Sequence, residues 1–180
     1  MISGWSKEKN MNGKVIVILF SFMTLLMNGC ASSVFTVEMD QSGFKIINGP
    51  FDRNVLENDP MFTWFKPNYD QYVPDTATMQ EVKLLVHDIH FVVVLGTWCG
   101  DSRREVPKQF KIFDVAGVSD SRIEMHGVDR SKKSQDGTTD KFNVLRVPTL
   151  IVMRGEEELG RIVENPRVSQ EKDLLRMLQK

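Results

Sequence analysis

The most informative stretch of the chain is a continuous apolar run, Phe91–Leu95. Its β-branched residues, its short length and its lack of alternation are typical of a central strand that is covered on both faces of a sheet. Ahead of it, apolar residues recur at helical spacing from Met79 to Val86, after the segment Thr78–Glu81, which has the form of a capping box. We therefore predict a helix over residues 76–88 followed by a buried strand.

The pattern after this run predicts a second helix and further strands. Val106, Phe110 and Phe113 place one apolar stripe on a helix that ends near Asp114. The remaining predicted elements are a strand at 123–128, a weak helix at 138–143, a strand at 149–153, its hairpin partner at 159–163 and a closing helix capped by Ser169. This order predicts an α/β fold, a central mixed β-sheet that is flanked by helices and covered on both faces.

The first 29 residues follow the order of a secretory signal peptide. Three lysines precede an apolar run from Val15 to Leu26, and Met27–Cys30 follows that run. The run is shorter than the roughly 20 residues that span a bilayer. We therefore predict a cleaved signal rather than a retained membrane helix, and Met11 offers an alternative start for a more compact one.

The tetrapeptide Met27–Cys30 resembles the lipobox of bacterial lipoproteins, which implies cleavage after Gly29 and acylation of Cys30. Each buried methylene of an acyl chain contributes about 0.8 kcal/mol, so lipidated Cys30 would anchor the exported protein at a membrane of the cell envelope. The alternative is an ordinary buried core cysteine. The chain has two cysteines, so acylation of Cys30 leaves Cys99 as the only free thiol.

Residues 30–74 are rich in aromatic residues, proline, asparagine and aspartate. Residues 34–39 favour a short strand, and five aromatic residues lie close together farther on: Phe62, Trp64, Phe65, Tyr69 and Tyr72. A solvated tether does not need so many aromatic side chains, so we expect this segment to pack on the domain of residues 75–180 as an N-terminal extension. Covering apolar surface is the favoured role, and ligand binding is the alternative.

Composition excludes one broad class of partner. The chain has 180 residues, enough for one domain with a core, and a formal net charge of −1 with no long basic run. Nucleic-acid binding depends on clustered lysine and arginine. Nucleic acid is therefore not an expected partner.

Cys99 is the candidate reactive residue, because Gly96–Ser102 joins the predicted central strand to the following helix. A cysteine that enters a helix faces unpaired backbone N–H groups and the positive end of the helix dipole, which stabilise a thiolate. Cys99 is therefore a candidate nucleophile. The alternative is an inert cysteine of the core.

The motif around Cys99 resembles the active site of thioredoxins, with Trp98 before the cysteine, Gly100 after it and Pro107 eight residues farther on. The segment Arg146–Val152 and the glycine-containing hairpin after it resemble the proline loop and last hairpin of that family. The resemblance covers residues 76–180 and implies a thioredoxin-like fold. It also implies that Pro148 is cis and faces Cys99.

The resemblance further implies a substrate-binding groove lined by residues on both sides of the sulfur: Trp98, Gly100, Val147, Pro148 and Thr149. Backbone groups of Val147 would pair with an extended substrate. We therefore expect main-chain recognition that tolerates different substrate sequences.

The sequence departs from the family's dithiol members at several positions. Ser102 replaces the resolving cysteine, so it can donate a hydrogen bond to a Cys99 thiolate but cannot attack a mixed disulfide. Asp101 opposes the thiolate or serves only the helix dipole, and Arg103 and Arg104 offset its charge. Val93 occupies the position where the family often has a buried acid.

These residues support two function hypotheses from different classes. In the first, Cys99 forms mixed disulfides with a protein or low-molecular-weight substrate, and an external thiol resolves them. In the second, the groove at Pro148 is a non-catalytic binding module for an extended peptide or partner protein. Metal or cluster binding across a dimer is weaker, because one thiolate per chain needs ligands from elsewhere. We expect no cofactor and no metal, since His87, His90 and His126 show no ligand spacing with Cys99.

Overall fold

The computed structural model describes residues 35–180, so the predicted signal peptide and Cys30 lie outside the described residues. Six strands are present in this part of the chain: β1 Thr36–Met39, β2 Lys45–Pro50, β3 Ile89–Leu95, β4 Ile123–Gly127, β5 Thr149–Arg154 and β6 Glu157–Val163. The α-helices are α1 Arg53–Asn58, α2 Phe65–Gln71, α3 Thr76–Leu85, α4 Gly100–Ala116, α5 Thr138–Lys141 and α6 Gln170–Leu178. Short 3₁₀ turns span Pro60–Phe62 and Asp120–Arg122.

The six strands form one mixed sheet in the order β1-β2-β4-β3-β5-β6. Strands β3 and β4 are parallel and are joined by the crossover helix α4, while the other neighbouring pairs are antiparallel. This arrangement confirms the predicted α/β architecture with a central mixed sheet and flanking helices. Strand β3, the continuous apolar run, lies in the interior of the sheet with strands on both edges and is almost fully buried.

The pleat of β3 divides the apolar core between the two faces of the sheet. The side chains of Phe91, Val93 and Leu95 point to one face of the sheet, on which helices α2, α3, α4 and α6 pack. Val92 and Val94 point to the opposite face. There they pack against residues from the loops around α5 and from the central strands, namely Val128, Val144, Val147, Ile151 and Met153. The absence of hydrophobic alternation along β3 follows from this burial on both faces.

The N-terminal segment contributes a strand to the sheet as well as side chains to the core. We expected residues 30–74 to cover apolar surface, and Phe62 and Phe65 do belong to the larger core. In addition, β2 pairs with β4, so this segment extends the sheet itself. The approach is close, because a side chain at Gly127 would clash with the carbonyl oxygen of Ile47. The described part of the segment therefore belongs to the same sheet as the domain it precedes.

Helix starts agree with the predictions except at one cap, but two helices end earlier than predicted, at Leu85 rather than 88 and at Lys141 rather than 143. Helix α3 begins at Thr76 as predicted, but Asp75 caps it by accepting the N–H of Thr78, so the proposed capping box at Thr78 is wrong. Asp75 caps the helix because it directly precedes the first helical residue and its backbone is extended, which are the position and conformation of an N-cap residue. Helix α6 has the predicted Ser169 cap. None of the helices in residues 35–180 has the length and apolar character needed to cross a membrane.

Candidate functional site

Cys99 lies where strand β3 passes into helix α4. Its N–H donates to the Gly96 carbonyl at 2.9 Å, which closes a tight turn, and Cys99 is the N-cap residue of α4. Its side chain is half-buried, and Cys99 is the free cysteine among the described residues. The sulfur therefore lies at the positive end of a helix of 17 residues.

The immediate partner of the sulfur differs from the one expected. We expected the N–H groups of the first turn to face it, but the side chain accepts no capping hydrogen bond from the described residues. Instead the thiol donates to the carbonyl oxygen of Val147, with 3.4 Å between Sγ and that oxygen. The helix therefore acts on the sulfur through its dipole rather than through a direct hydrogen bond.

The Val147–Pro148 peptide bond is cis, and its loop faces Cys99, which confirms that prediction. Val147, Pro148 and Thr149 are buried, and the Thr149 hydroxyl donates to the Arg146 carbonyl at 2.7 Å. Pro148 has no N–H, and its carbonyl accepts the N–H of Glu164, the residue directly after strand β6, so this segment holds the loop. The Val147 carbonyl is thus positioned beside the sulfur by a well-anchored loop.

Trp98, the residue before Cys99, packs on the same apolar cluster as Cys99. Its indole N–H donates to the Val128 carbonyl at 3.1 Å, which ties it to the end of strand β4. The ring lies against Gly96, where an added Cβ would be 2.8 Å from an indole carbon. Gly96 is therefore required for this turn, while exposed Gly100 has open space around it.

Ser102 does not occupy the role that the sequence analysis gave it. The residue is 0 % exposed, and its hydroxyl oxygen accepts the N–H of Gly96 at 3.2 Å. Within the described chain this hydroxyl makes no hydrogen bond to the Cys99 sulfur. The buried position on the inner side of α4 explains the difference, since the hydroxyl satisfies a buried backbone donor there. Ser102 is a structural support for the turn.

The charged residues after Cys99 divide into a neutralised pair and a separate cation. Asp101 binds Arg104 at 2.6 Å, and this hydrogen bond raises the pKa of Arg104. The Asp101 carboxylate is therefore compensated locally. Arg103 instead donates from Nε to the Thr97 carbonyl at 2.9 Å, on the loop that carries Cys99.

Three further residues beside the site were missed by the sequence analysis. Phe44 lies in the β1–β2 turn, and its ring lies under the guanidinium groups of Arg103 and Arg130. Asp40, from the same turn, forms an ion pair with Arg130 across 90 positions of sequence. No local signal marks these residues, because the sheet pairing of β2 with β4 brings Asp40 and Phe44 next to the loop that carries Arg130.

Other predicted features lie apart from the sulfur or are simply buried. Val93 is 0 % exposed within the sheet, as expected for an apolar residue that replaces an acid. His126 is buried and pairs with Asp136 at 2.7 Å. Among residues 35–180, no group of three or more histidine, cysteine, aspartate or glutamate side chains is placed to hold a metal ion.

Comparisons with known proteins leave the family open. No family model matches the chain, and no curated protein matches it. Among solved structures, a protein of unknown function from Pseudomonas aeruginosa is 14 % identical, with a TM-score of 0.46 over 71 % of this chain and 83 % of the other. An HIV epitope-scaffold is 17 % identical, with a TM-score of 0.39 over 71 % of this chain and 74 % of the other. These likenesses carry no argument about function.

Proposed function

We propose that this chain is a thioredoxin-like, single-cysteine thiol redox protein, held at a membrane of the cell envelope by a lipid on Cys30. The proposal rests above all on one observation: a half-exposed thiol at the N-terminus of helix α4 lies 3.4 Å from the Val147 carbonyl of a cis-proline loop. A reactive group and a main-chain binding element thus adjoin each other. The lipid anchor rests on the sequence alone.

The proposed reaction is thiol–disulfide exchange. The Cys99 thiol loses its proton to solvent, and the thiolate attacks one sulfur of a disulfide RS–SR. The bond between Sγ and that sulfur forms as the S–S bond breaks, and RS⁻ leaves and takes up a proton. The helix dipole favours the attacking charge. The product is a mixed disulfide on Cys99.

Substrate recognition would use the backbone beside the sulfur. The Val147 carbonyl accepts the thiol proton in the resting protein. That bond is lost once the sulfur is ionised or bonded to a substrate, which frees the carbonyl to accept an N–H from an extended chain. Because this contact involves only main-chain groups, it supports binding of peptides with different sequences.

Release of the product needs a second thiol from outside the domain. Ser102 has no sulfur, and its buried hydroxyl is engaged with Gly96. In the proposed cycle an external thiol R′SH attacks the mixed disulfide, restores the Cys99 thiol and leaves as R–S–S–R′. The electrons that reduce the substrate come from external thiols.

The proposal is tested with the detergent-solubilised full chain and hydroxyethyl disulfide. Intact-mass and peptide analysis should find a mixed disulfide on Cys99 that accumulates without added thiol and disappears when a low-molecular-weight thiol is supplied. Cys99→Ser should form none. If Cys99 forms no adduct in the wild-type chain, the redox proposal fails and the groove is left as a peptide-binding surface.

A further inference from the structure

Two arginines lie on aromatic rings beside the reactive sulfur. The guanidinium carbon of Arg103 lies 4.4 Å from the centre of the Phe44 ring. That of Arg130 lies 5.4 Å from the same ring and 5.1 Å from the ring of Trp98. We call these four residues the arginine–aromatic cluster. The cluster joins the β1–β2 turn to the loop of Cys99, and stacking holds its cations in place.

The two arginines of this cluster differ in their ion pairs. Arg130 is paired with Asp40, and the neighbouring Arg104 is paired with Asp101. Arg103 has no carboxylate within ion-pair distance among residues 35–180. Its guanidinium is therefore the one in the cluster that lacks an ion pair within the described residues.

Arg103 is oriented so that its outer nitrogens remain available. Its Nε donates to the Thr97 carbonyl, and no hydrogen bond within the described residues engages either Nη group. Its main-chain N–H donates to the Cys99 carbonyl at 3.1 Å, so Arg103 lies one helical turn after the cysteine. Burial lowers the pKa of Arg103, while the charge of an ionised Cys99 acts in the opposite direction. A guanidinium stays protonated throughout the ordinary pH range. Arg103 therefore presents a fixed cation with free donors near the site of attack.

We infer that Arg103, within the arginine–aromatic cluster, selects disulfides that carry a carboxylate close to their sulfur atoms. The inference deepens the proposed function and rests on exchange at Cys99. A thiolate and a carboxylate-bearing disulfide repel each other as they approach, which slows their reaction in water. A fixed guanidinium next to the thiolate offsets this repulsion and can bind the carboxylate through paired N–H groups.

The first test separates charge preference from redox chemistry. Iodoacetate and iodoacetamide are similar in size, and only the first is anionic. The rates at which they alkylate Cys99 are measured on the full chain by peptide mass spectrometry, and their ratio is divided by that for N-acetylcysteine amide, a neutral reference thiol. The normalised ratio should exceed one, and Arg103→Gln should lower it about five- to tenfold, as expected for one charge near the sulfur.

Two further variants show whether the charge of Arg103 is responsible. Arg103→Lys keeps the charge and should retain most of the preference. Arg154→Gln is the control. Strand β5 begins at Thr149, next to Pro148, and Arg154 is at its other end, so loss of this positive charge should leave the ratio unchanged. A ratio of one in the wild type, or an equal loss in Arg154→Gln and Arg103→Gln, overturns the inference.

The second test addresses the substrate class with matched disulfides. Dithiodipropionate, hydroxyethyl disulfide and cystamine are anionic, neutral and cationic, and their normalised rates of mixed-disulfide formation should fall in that order. Peptide disulfides with aspartate or lysine beside the cysteine distinguish a peptide source of the carboxylate from a low-molecular-weight one. Equal rates across the series contradict the inference and leave the redox proposal intact. No reaction with any disulfide, together with a preference for iodoacetate, contradicts the redox proposal and retains the anion preference.

Discussion

The two ends of helix α4 differ in how they use charged and aromatic residues. At its C-terminal end, Asp114 accepts two hydrogen bonds from Arg53, at 2.7 and 2.9 Å, and one from Tyr69 at 2.6 Å. Burial and this carboxylate raise the pKa of Tyr69 to about 12. At the N-terminal end, Cys99 is half-exposed and Arg103 has no ion-pair partner among the described residues. One end is built for stability, and the other keeps a thiol and a cation available.

The same contrast appears in the packing of aromatic rings. Phe110 is 1 % exposed, and its ring centre lies 5.9 Å from that of Phe65 and 5.6 Å from that of Phe113. The rings near Cys99, Phe44 and Trp98, are only half-buried and contact guanidinium groups. Buried packing of aromatic rings on each other is therefore found at the C-terminal end of α4, and packing of rings on guanidinium groups at the N-terminal end.

The largest expected effect is on that packed end. Phe110→Ala should lower the free energy of unfolding by about 3–5 kcal/mol, because it removes a fully buried ring and leaves a cavity. Leu84→Ala is the control, since Leu84 is 74 % exposed and its loss should change stability by less than about 0.5 kcal/mol. Both are measured by denaturant unfolding. Equal effects of the two variants would contradict the contrast.

The next effect is electrostatic and depends on pH. Although burial opposes it, hydrogen bonds from Arg53 and Tyr69 hold the pKa of Asp114 below its ordinary value. A carboxyl with a lowered folded-state pKa contributes stability that is complete above its unfolded value, near 4, and is lost as the pH falls through the folded value. Asp114→Asn should therefore cost about 1–2 kcal/mol at neutral pH, and its deficit should shrink below about pH 4.

Asp70→Asn is the matched control for that prediction, because Asp70 is 53 % exposed and pairs only with exposed Lys66 among the described residues. Its effect should be small at every pH. Thermal or denaturant unfolding from pH 3 to pH 7 measures both variants. A deficit for Asp114→Asn that stays constant over this range would show that ionisation of Asp114 does not stabilise the fold.

At the other end of the helix, Ser102→Cys tests whether the missing second thiol limits the reaction. The substitution removes the hydrogen bond to Gly96 and should cost about 1 kcal/mol of stability. It should also allow an intramolecular disulfide with Cys99, so that reduction of insulin or a small disulfide becomes faster than in the wild type. Ser102→Ala loses the same hydrogen bond without adding a thiol, and it should gain no activity. If Ser102→Cys gains none either, the proposed limitation is wrong.

The elements of the fold follow from local patterns, whereas the surroundings of the site do not. The continuous run Phe91–Leu95 predicts a central strand, and the apolar stripe from Val106 to Phe113 predicts the crossover helix, because burial fixes these periodicities. The sequence pattern does not show that β2 extends the sheet, since its pairing with β4 joins residues far apart in the chain. No pattern in the sequence around Phe44 therefore predicts that it lies at the site.

The hydrogen-bond partners of side chains within the predicted motif also could not be predicted from the sequence. The order Cys99-Gly100-Asp101-Ser102 places a cysteine at a helix start, and this position is as predicted. It does not reveal that Ser102 turns inward to the N–H of Gly96, or that Asp101 is held by Arg104. Such choices depend on which backbone donors are buried and which cations lie nearby. Only the three-dimensional arrangement determines them.

The rate of alkylation of Cys99 shows whether this residue is an activated nucleophile. The full chain is treated with iodoacetamide at neutral pH, and the Cys99 peptide is followed by mass spectrometry beside N-acetylcysteine amide in the same solution. We expect Cys99 to be alkylated faster than the reference thiol, since the helix dipole and Arg103 favour charge on its sulfur. If native Cys99 is alkylated no faster than the reference thiol, Cys99 is not an activated nucleophile.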